Sequence, residues 1–385
     1  MNLHECLEKR IIKCFTMLHG LCMNKIYCQG FFIILLSLSF IVIQLLLPWC
    51  GLNSFAQSQT PDATYTNPVG TSEGPIELGD PFVILYEKNY YLYATSAGDG
   101  FKCWTSTDLV HWTALGYAFK SNEKSWGGGS FWAPEVTYYR GKFFMVYSAY
   151  QRNAPRGGSY YRLCLAVSDK PEGPFTDLHA PWCDTGEPCI DGHIFIDDDN
   201  TLYLYFARNY GKDHNSQGYL SASIYGMKLS PDFSTFTGEP VLCTEADQEW
   251  ENPRSMDTRC NEGPFVFKHN GIYYVTYSAN HYRHPFYGIG YATSPKPLGP
   301  WTKSANNPLV QQNIETGVAG PGHNSLTISP DGKELFMVYH THGDAKEMKG
   351  RVLNIDRMVI DEKGGLKLIG PTRSPQPLPS GVRHQ

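Results

Sequence analysis

Three carboxylates carry the most chemistry in this sequence: Asp80 in LGDPFVILY, Asp191 in DGHIFIDDDN and Glu262 in EGPFVFKHNG. Taken singly, each has a structural explanation, because Asp-Pro, Asp-Gly and Glu-Gly-Pro all favour turns. Together they stand at the start of segments of one kind, an apolar strand followed by a short turn and an aromatic strand. A shared setting of that kind brings shared positions in space. Like charges repel and burial penalises ionisation, so three gathered carboxylates do not serve stability. They do serve acid–base chemistry. Breaking a glycosidic bond needs one carboxylic acid to protonate the leaving oxygen and one carboxylate for the opposite face of the sugar. A third charge nearby raises the pKa of the acid and keeps it protonated near neutral pH.

The elements that must position these groups repeat along the chain. The aromatic strands read YYLYATS, FFMVYSA, LYLYFAR, YYVTYSA and LFMVYHT, starting at Tyr90, Phe143, Leu202, Tyr273 and Leu335. The strands before them open at Asp80, Trp132, Asp191, Glu262 and His323, and the turns between partners are EKN, RGK, DDDN, KHNG and SPDGK. A fixed unit repeated at this length must be read before any single motif. Its Tyr, Phe, Val and Leu bounded by Gly, Asn, Asp and Pro specify hairpins. One hairpin is marginal in water, so the units need neighbours, and a ring of them leaves only short protected edges. The outer part of the unit also returns, as AVSDKPEGPF and ATSPKPLGPW. The chain is therefore expected to be all-β, a five-bladed β-propeller whose leading residues face one another at one mouth of the axial channel. Asp197-Asp198-Asp199-Asn200 falls where a hairpin turn is required and lacks the spacing of a calcium loop.

The first residues are set aside before fold reasoning. Residues 31–48 are an apolar run with Lys25 upstream, and Ser54-Phe55-Ala56 places small side chains for a signal peptidase, so residues 1–56 read as a leader cleaved after Ala56. Export to the periplasm or outside the cell follows, with no membrane for the mature chain. An uncleaved anchor and a lipid-modified Cys50 are the alternatives. Residues 57–385 read as a single propeller domain. The net charge is −5 and no basic cluster occurs, which excludes nucleic acid as a partner class. The 25 Tyr and 8 Trp exceed what a core needs and favour a carbohydrate, whose apolar C–H faces stack on aromatic rings. Cys103, Cys164, Cys183, Cys189, Cys243 and Cys260 are an even set in an exported chain, with Cys183 and Cys189 the first candidates for a disulfide and buried free thiols the alternative.

In the order GDPFVILYEKNYYLYATS, WAPEVTYYRGKFFMVYSA, IDGHIFIDDDNTLYLYFA, NEGPFVFKHNGIYYVTYSAN and GPGHNSL, the chain resembles glycoside hydrolase family 43. The resemblance covers essentially all of residues 57–385 and implies a five-bladed propeller that hydrolyses with inversion, mostly on arabinose- and xylose-containing glycans. It implies that Asp80 is the general base, Glu262 the general acid, and Asp191 the group that tunes and orients Glu262. His323 in GPGHNSL resembles a histidine near the channel axis that in some members helps hold calcium; a hydrogen-bonded channel histidine is the alternative. No cofactor is required by this chemistry, and a structural calcium is the one ion the resemblance brings in. Arg351 resembles an arginine that reaches sugar hydroxyls or orients a carboxylate. Trp132 and Phe131 resemble ring-stacking residues beside the sugar, and Glu135, further along the WAPE strand, reads as structural.

The expected activity is removal of terminal α-L-arabinofuranosyl or β-D-xylosyl residues from plant-type glycans, with endo-arabinan or galactan cleavage as the alternative within the family. A five-bladed fructan hydrolase would carry an Arg-Asp-Pro motif mid-chain, which is absent. A non-catalytic carbohydrate-binding propeller would share the aromatic excess but has no use for Asp80 and Glu262.

Overall fold

The repeated apolar and aromatic segments fold as expected, into strands. The computed structural model describes residues 63–382 apart from 157, 211, 213 and 253–257. The leader and its cleavage site at Ala56 lie outside the described residues. Among the described residues there is no α-helix, and a single 3-10 turn spans Glu249–Glu251. The chain is a five-bladed β-propeller. The innermost and second strands are Gly79–Tyr86 with Asn89–Thr95 in blade I, Gly127–Tyr139 with Lys142–Gln151 in blade II, and Cys189–Ile196 with Leu202–Arg208 in blade III. Blade IV begins with Thr258–His269 and Ile272–Ala279, and blade V with Gly322–Ile328 and Leu335–Asp344. Two further antiparallel strands complete each blade. Each innermost strand touches the next around the ring, and that of blade V touches that of blade I.

Each junction between neighbouring blades holds its own apolar cluster. Aromatic rings dominate these clusters because two twisted sheets leave wide gaps that only large side chains fill. The recurring Lys-Pro-x-Gly-Pro segments have a clear part in this. The hydroxyl of buried Tyr93 in blade I donates to the carbonyl of Pro171, and that of Tyr205 in blade III donates to Pro297 at 2.5 Å. The outer repeat is thus a latch from one blade to the tyrosine of the blade before it. A buried phenol without such a partner would cost stability.

The ring closes between blades V and I. Thr64–Tyr65 pairs with Gln376–Pro377, Val69 N–H bonds the carbonyl of Leu353, and Leu78 N–H bonds that of Arg351. The Pro-rich tail lies against blade V, where Arg357 reaches the carbonyls of Pro377 and Leu378 and Ser380 bonds Asp331. The acidic run at 197–200 is a turn closed by Asn200 N–H on Asp197, and Lys268 lies 2.7 Å from Asp197 and 2.9 Å from Asp198. Cys103, Cys164, Cys183, Cys189, Cys243 and Cys260 are buried free thiols, and Cys183 and Cys189 are hydrogen-bonded neighbours rather than a disulfide.

Candidate active site

Every innermost strand carries a β-bulge near its start. The register with the second strand breaks after Gly79, Trp132, Ile190, Glu262 and Gly322. A left-handed residue follows each break: Asp80 at φ 53°, Ala133 at 46°, Asp191 at 57°, Gly263 at 58° and His323 at 48°. A bulge re-aims a side chain out of the pleat, and left-handed non-glycine residues are costly enough that they concentrate at functional sites. Asp80, Asp191 and His323 occupy the bulge itself. Glu262 does not share their place in the repeat. It stands one residue earlier, paired with Ser278 as Trp132 is paired with Ser148. The register decides this, because Gly263 takes the left-handed position in blade IV.

Asp80 is the most tightly held of the three carboxylates. Its Oδ1 lies 2.7 Å from Arg351 Nη1, 3.4 Å from His323 Nδ1 and 3.7 Å from His340 Nδ1. Thr95 Oγ1 donates to its Oδ2 at 2.6 Å, and its own N–H donates to His340 Nδ1 at 3.1 Å. Burial favours the neutral acid, but the Arg351 charge, then His323 and the Thr95 hydroxyl, outweigh it and hold Asp80 well below the usual carboxylate range. His340 accepts at Nδ1, so it carries its proton on Nε2 and is neutral. Burial and the Arg351 charge keep it so. The glycine of GDP has a role here. A Cβ at Gly79 would lie 1.9 Å from Arg351 Cζ, so only glycine lets the guanidinium reach Asp80.

Asp191 and Glu262 have the opposite environment. Burial pushes Asp191 up to about 7. His323, 4.0 Å from its Oδ2, opposes this, the charges of Glu262 and Asp80 reinforce it, and the Gly263 N–H at 3.0 Å opposes it. Burial also raises Glu262, against a hydrogen bond from Tyr287 to its Oε1 at 2.8 Å. The two carboxyls titrate as a pair that retains a proton near neutral pH. Tyr287 is buried, its hydroxyl held neutral by burial first and by Glu262 second. A Cβ at Gly322 would meet the Tyr287 ring at 1.9 Å, so the glycine before His323 clears the space for this tyrosine.

These groups line one cavity of about 290 Å³, at the lower end of the range for small-ligand sites. Asp80, Asp191, Glu262, His323, Arg351 and Trp132 all line it, with Tyr287, Asn280, His281 and Tyr282 added from blade IV. Trp132 stacks on Tyr161 at 4.6 Å. Phe131 is the correction. It is 2% exposed and packs between Phe101, Phe119 and Tyr147 in the junction of blades I and II, away from the cavity. Adjacent strand residues point to opposite sides, so Trp132 and Phe131 could not both face the sugar. Glu135 is buried under the site and bonds His193 Nδ1 at 2.6 Å.

His323 stands between two of the carboxylates, with Nδ1 3.4 Å from Asp80 and 4.0 Å from Asp191. The His323 ring is drawn towards its cationic form by the surrounding carboxylates, Asp80 foremost, against the effect of burial, and among the described residues no three His, Cys, Asp or Glu side chains form a metal-holding group. The sequence reading missed Tyr287 and His340. The glycines of GPGHNSL and the histidine standing in the Ser/Thr position of LFMVYHT were the available signals.

Residues 65–366 match glycosyl hydrolases family 43. Among curated proteins, the chain is 27% identical over 321 residues to the beta-D-galactofuranosidase xynD of Aspergillus niger, covering 78% of this chain and 85% of that protein. It is 26% identical to an extracellular exo-alpha-(1->5)-L-arabinofuranosidase of Streptomyces avermitilis, covering 77% of this chain but only 60% of that protein's length. Among solved structures, a thermostable family-43 glycoside hydrolase is 46% identical with a TM-score of 0.77, covering 83% of this chain and all (100%) of that one. An endo-1,4-beta-xylanase from Bacteroides thetaiotaomicron is 36% identical with a TM-score of 0.67, covering 78% and 96%.

Proposed function

The chain belongs to family 43 of the glycosyl hydrolases and hydrolyses glycosidic bonds, and from that premise we propose that it releases terminal α-L-arabinofuranosyl or β-D-xylosyl residues from plant-type glycans with inversion. The observation that carries this reading is the electrostatic split within one cavity. Asp80 is locked in its ionised form by Arg351, while the Asp191–Glu262 pair keeps a proton. Two carboxyl groups with pKa values driven apart are what a general base and a general acid require. Asp80 takes a proton from water as the water oxygen bonds the anomeric carbon. The bond from that carbon to the leaving oxygen breaks, and Glu262 gives that oxygen its proton. The products are the inverted free sugar and an alcohol. Asp191 shares the pair's proton with Glu262, so that a charge on Asp191 discourages ionisation of Glu262, and Trp132 offers a ring face to the sugar.

The relatives named arabinofuranosidase and xylosidase/arabinosidase support a pentose, and an extracellular relative supports export. The test is a proton NMR time course of the protein from Gln57 onward with arabinofuranosides and xylosides in parallel, and galactofuranosides added because of the Aspergillus relative. Release of the inverted anomer from a pentoside is expected. Release of the retained anomer overturns the roles given to Asp80 and Glu262, and release from the galactofuranoside alone overturns the pentose.

A further inference from the structure

The five bulges are tied together by a ring of hydrogen bonds with one irregular member. The second-strand residue opposite each break is Thr95, Ser148, Ala207, Ser278 or His340. In four junctions its side chain accepts the N–H of the next blade's left-handed residue. Thr95 accepts from Ala133 at 2.9 Å, Ser148 from Asp191 at 2.9 Å, Ser278 from His323 at 2.7 Å, and His340 from Asp80 at 3.1 Å. In blade III the residue is Ala207, which has no acceptor. The Gly263 N–H goes instead to Asp191 Oδ2 at 3.0 Å.

We propose that Ala207 is a positioning residue for the catalytic carboxyls: by withholding the hydroxyl that its counterparts supply, it leaves the N–H beside Glu262 to Asp191 and so fixes that carboxylate next to the acid. Each of these N–H groups is buried or partly buried and has a side-chain acceptor, and an N–H left without one is costly. Asp191 therefore serves two purposes. It closes the ring of bulges, and the bond from Gly263 works against the burial that raises Asp191, which shifts the pair's shared proton towards Glu262. A serine at 207 would compete for Gly263 and free the Asp191 carboxylate to hold the proton itself. The catalytic half of this inference rests on the acid role proposed for Glu262; the structural half does not.

The experiment is a thermal cycle with Ala207→Ser and Asp191→Ala, read beside kinetics. Asp191→Ala strands the Gly263 N–H and lowers Tm by several degrees. Ala207→Ser recovers a good part of that loss in the Asp191→Ala background and gives no gain in the wild-type background. Equal effects in both backgrounds overturn the proposal. Should the serine variants not fold, Asp191→Asn against Asp191→Ala at pH 5 decides the structural half, because the carboxamide oxygen still accepts the Gly263 N–H. Asn is expected to keep the wild-type Tm, and equal losses refute the assignment. In kinetics, Ala207→Ser lowers the plateau rate on an unactivated oligosaccharide by up to about tenfold, a shift of about one pH unit in Asp191, and leaves a nitrophenyl glycoside nearly unaffected. An unchanged plateau on the oligosaccharide overturns the catalytic half. Inactivity of the wild type on every glycan would instead refute the function proposed above, and the thermal cycle would still report on Ala207.

Discussion

Replacing Tyr287 with Phe tests the acid assignment at a residue 25 positions away from Glu262 in sequence. The hydroxyl donates to Glu262 Oε1 at 2.8 Å, and this bond stabilises the carboxylate more than the neutral acid. A hydrogen bond to a charged group contributes about 1.5–3 kcal/mol and one between neutral groups about 0.5–1.5 kcal/mol, so the difference is about 1–1.5 kcal/mol. At 1.36 kcal/mol for each pKa unit, its loss raises Glu262 by about one unit. Phe keeps the ring that stacks on His340 at 5.8 Å and fills the space above Gly322, so the fold is expected to survive. The assay is a pH–rate profile on an unactivated oligosaccharide. An acid with a higher pKa stays protonated to higher pH, so the alkaline limb moves up by about one pH unit. An alkaline limb that stays in place or moves down, in a variant with wild-type Tm, refutes the reasoning.

Glu262→Gln should lower turnover of unactivated oligosaccharides by about 10²–10⁴-fold while ligand binding persists, and a good aryl leaving group should mask most of the loss; wild-type rates on both substrates would show that Glu262 is not the acid. Gly79→Ala should push Arg351 off Asp80 and leave a buried charge unpaired, costing about 3–5 kcal/mol in urea unfolding together with activity. A variant as stable and active as the wild type would mean that the Arg351–Asp80 pair is dispensable.

Much of the site was legible because the repeat carries it. Asp80, Trp132, Asp191, Glu262 and His323 each lie at the bulge of an innermost strand, and five such strands around one axis have one mouth. Arg351, 271 residues from Asp80 in sequence, was legible only by resemblance, since nothing local ties it to that carboxylate. Tyr287 and His340 went unread for the same reason. Their partners come from other strands, and aromatic and histidine residues are unremarkable in a chain with 25 Tyr and 13 His.

The sequence by itself determined the hairpins, their number and the carboxylates at their heads, because strand composition and turn chemistry are local properties. Tertiary structure alone decided which way each head points. A one-residue change of register turns a side chain from one side of a strand to the other, and a bulge makes that change inside the strand. That is why Phe131 lies in the core while Trp132 faces the cavity, and why Glu262 serves the same cavity from one residue before the bulge. It is also why Ala207, silent in the sequence, decides where the Asp191 carboxylate is tied: an absent hydroxyl has meaning only once the neighbouring blade presents the N–H that it leaves open.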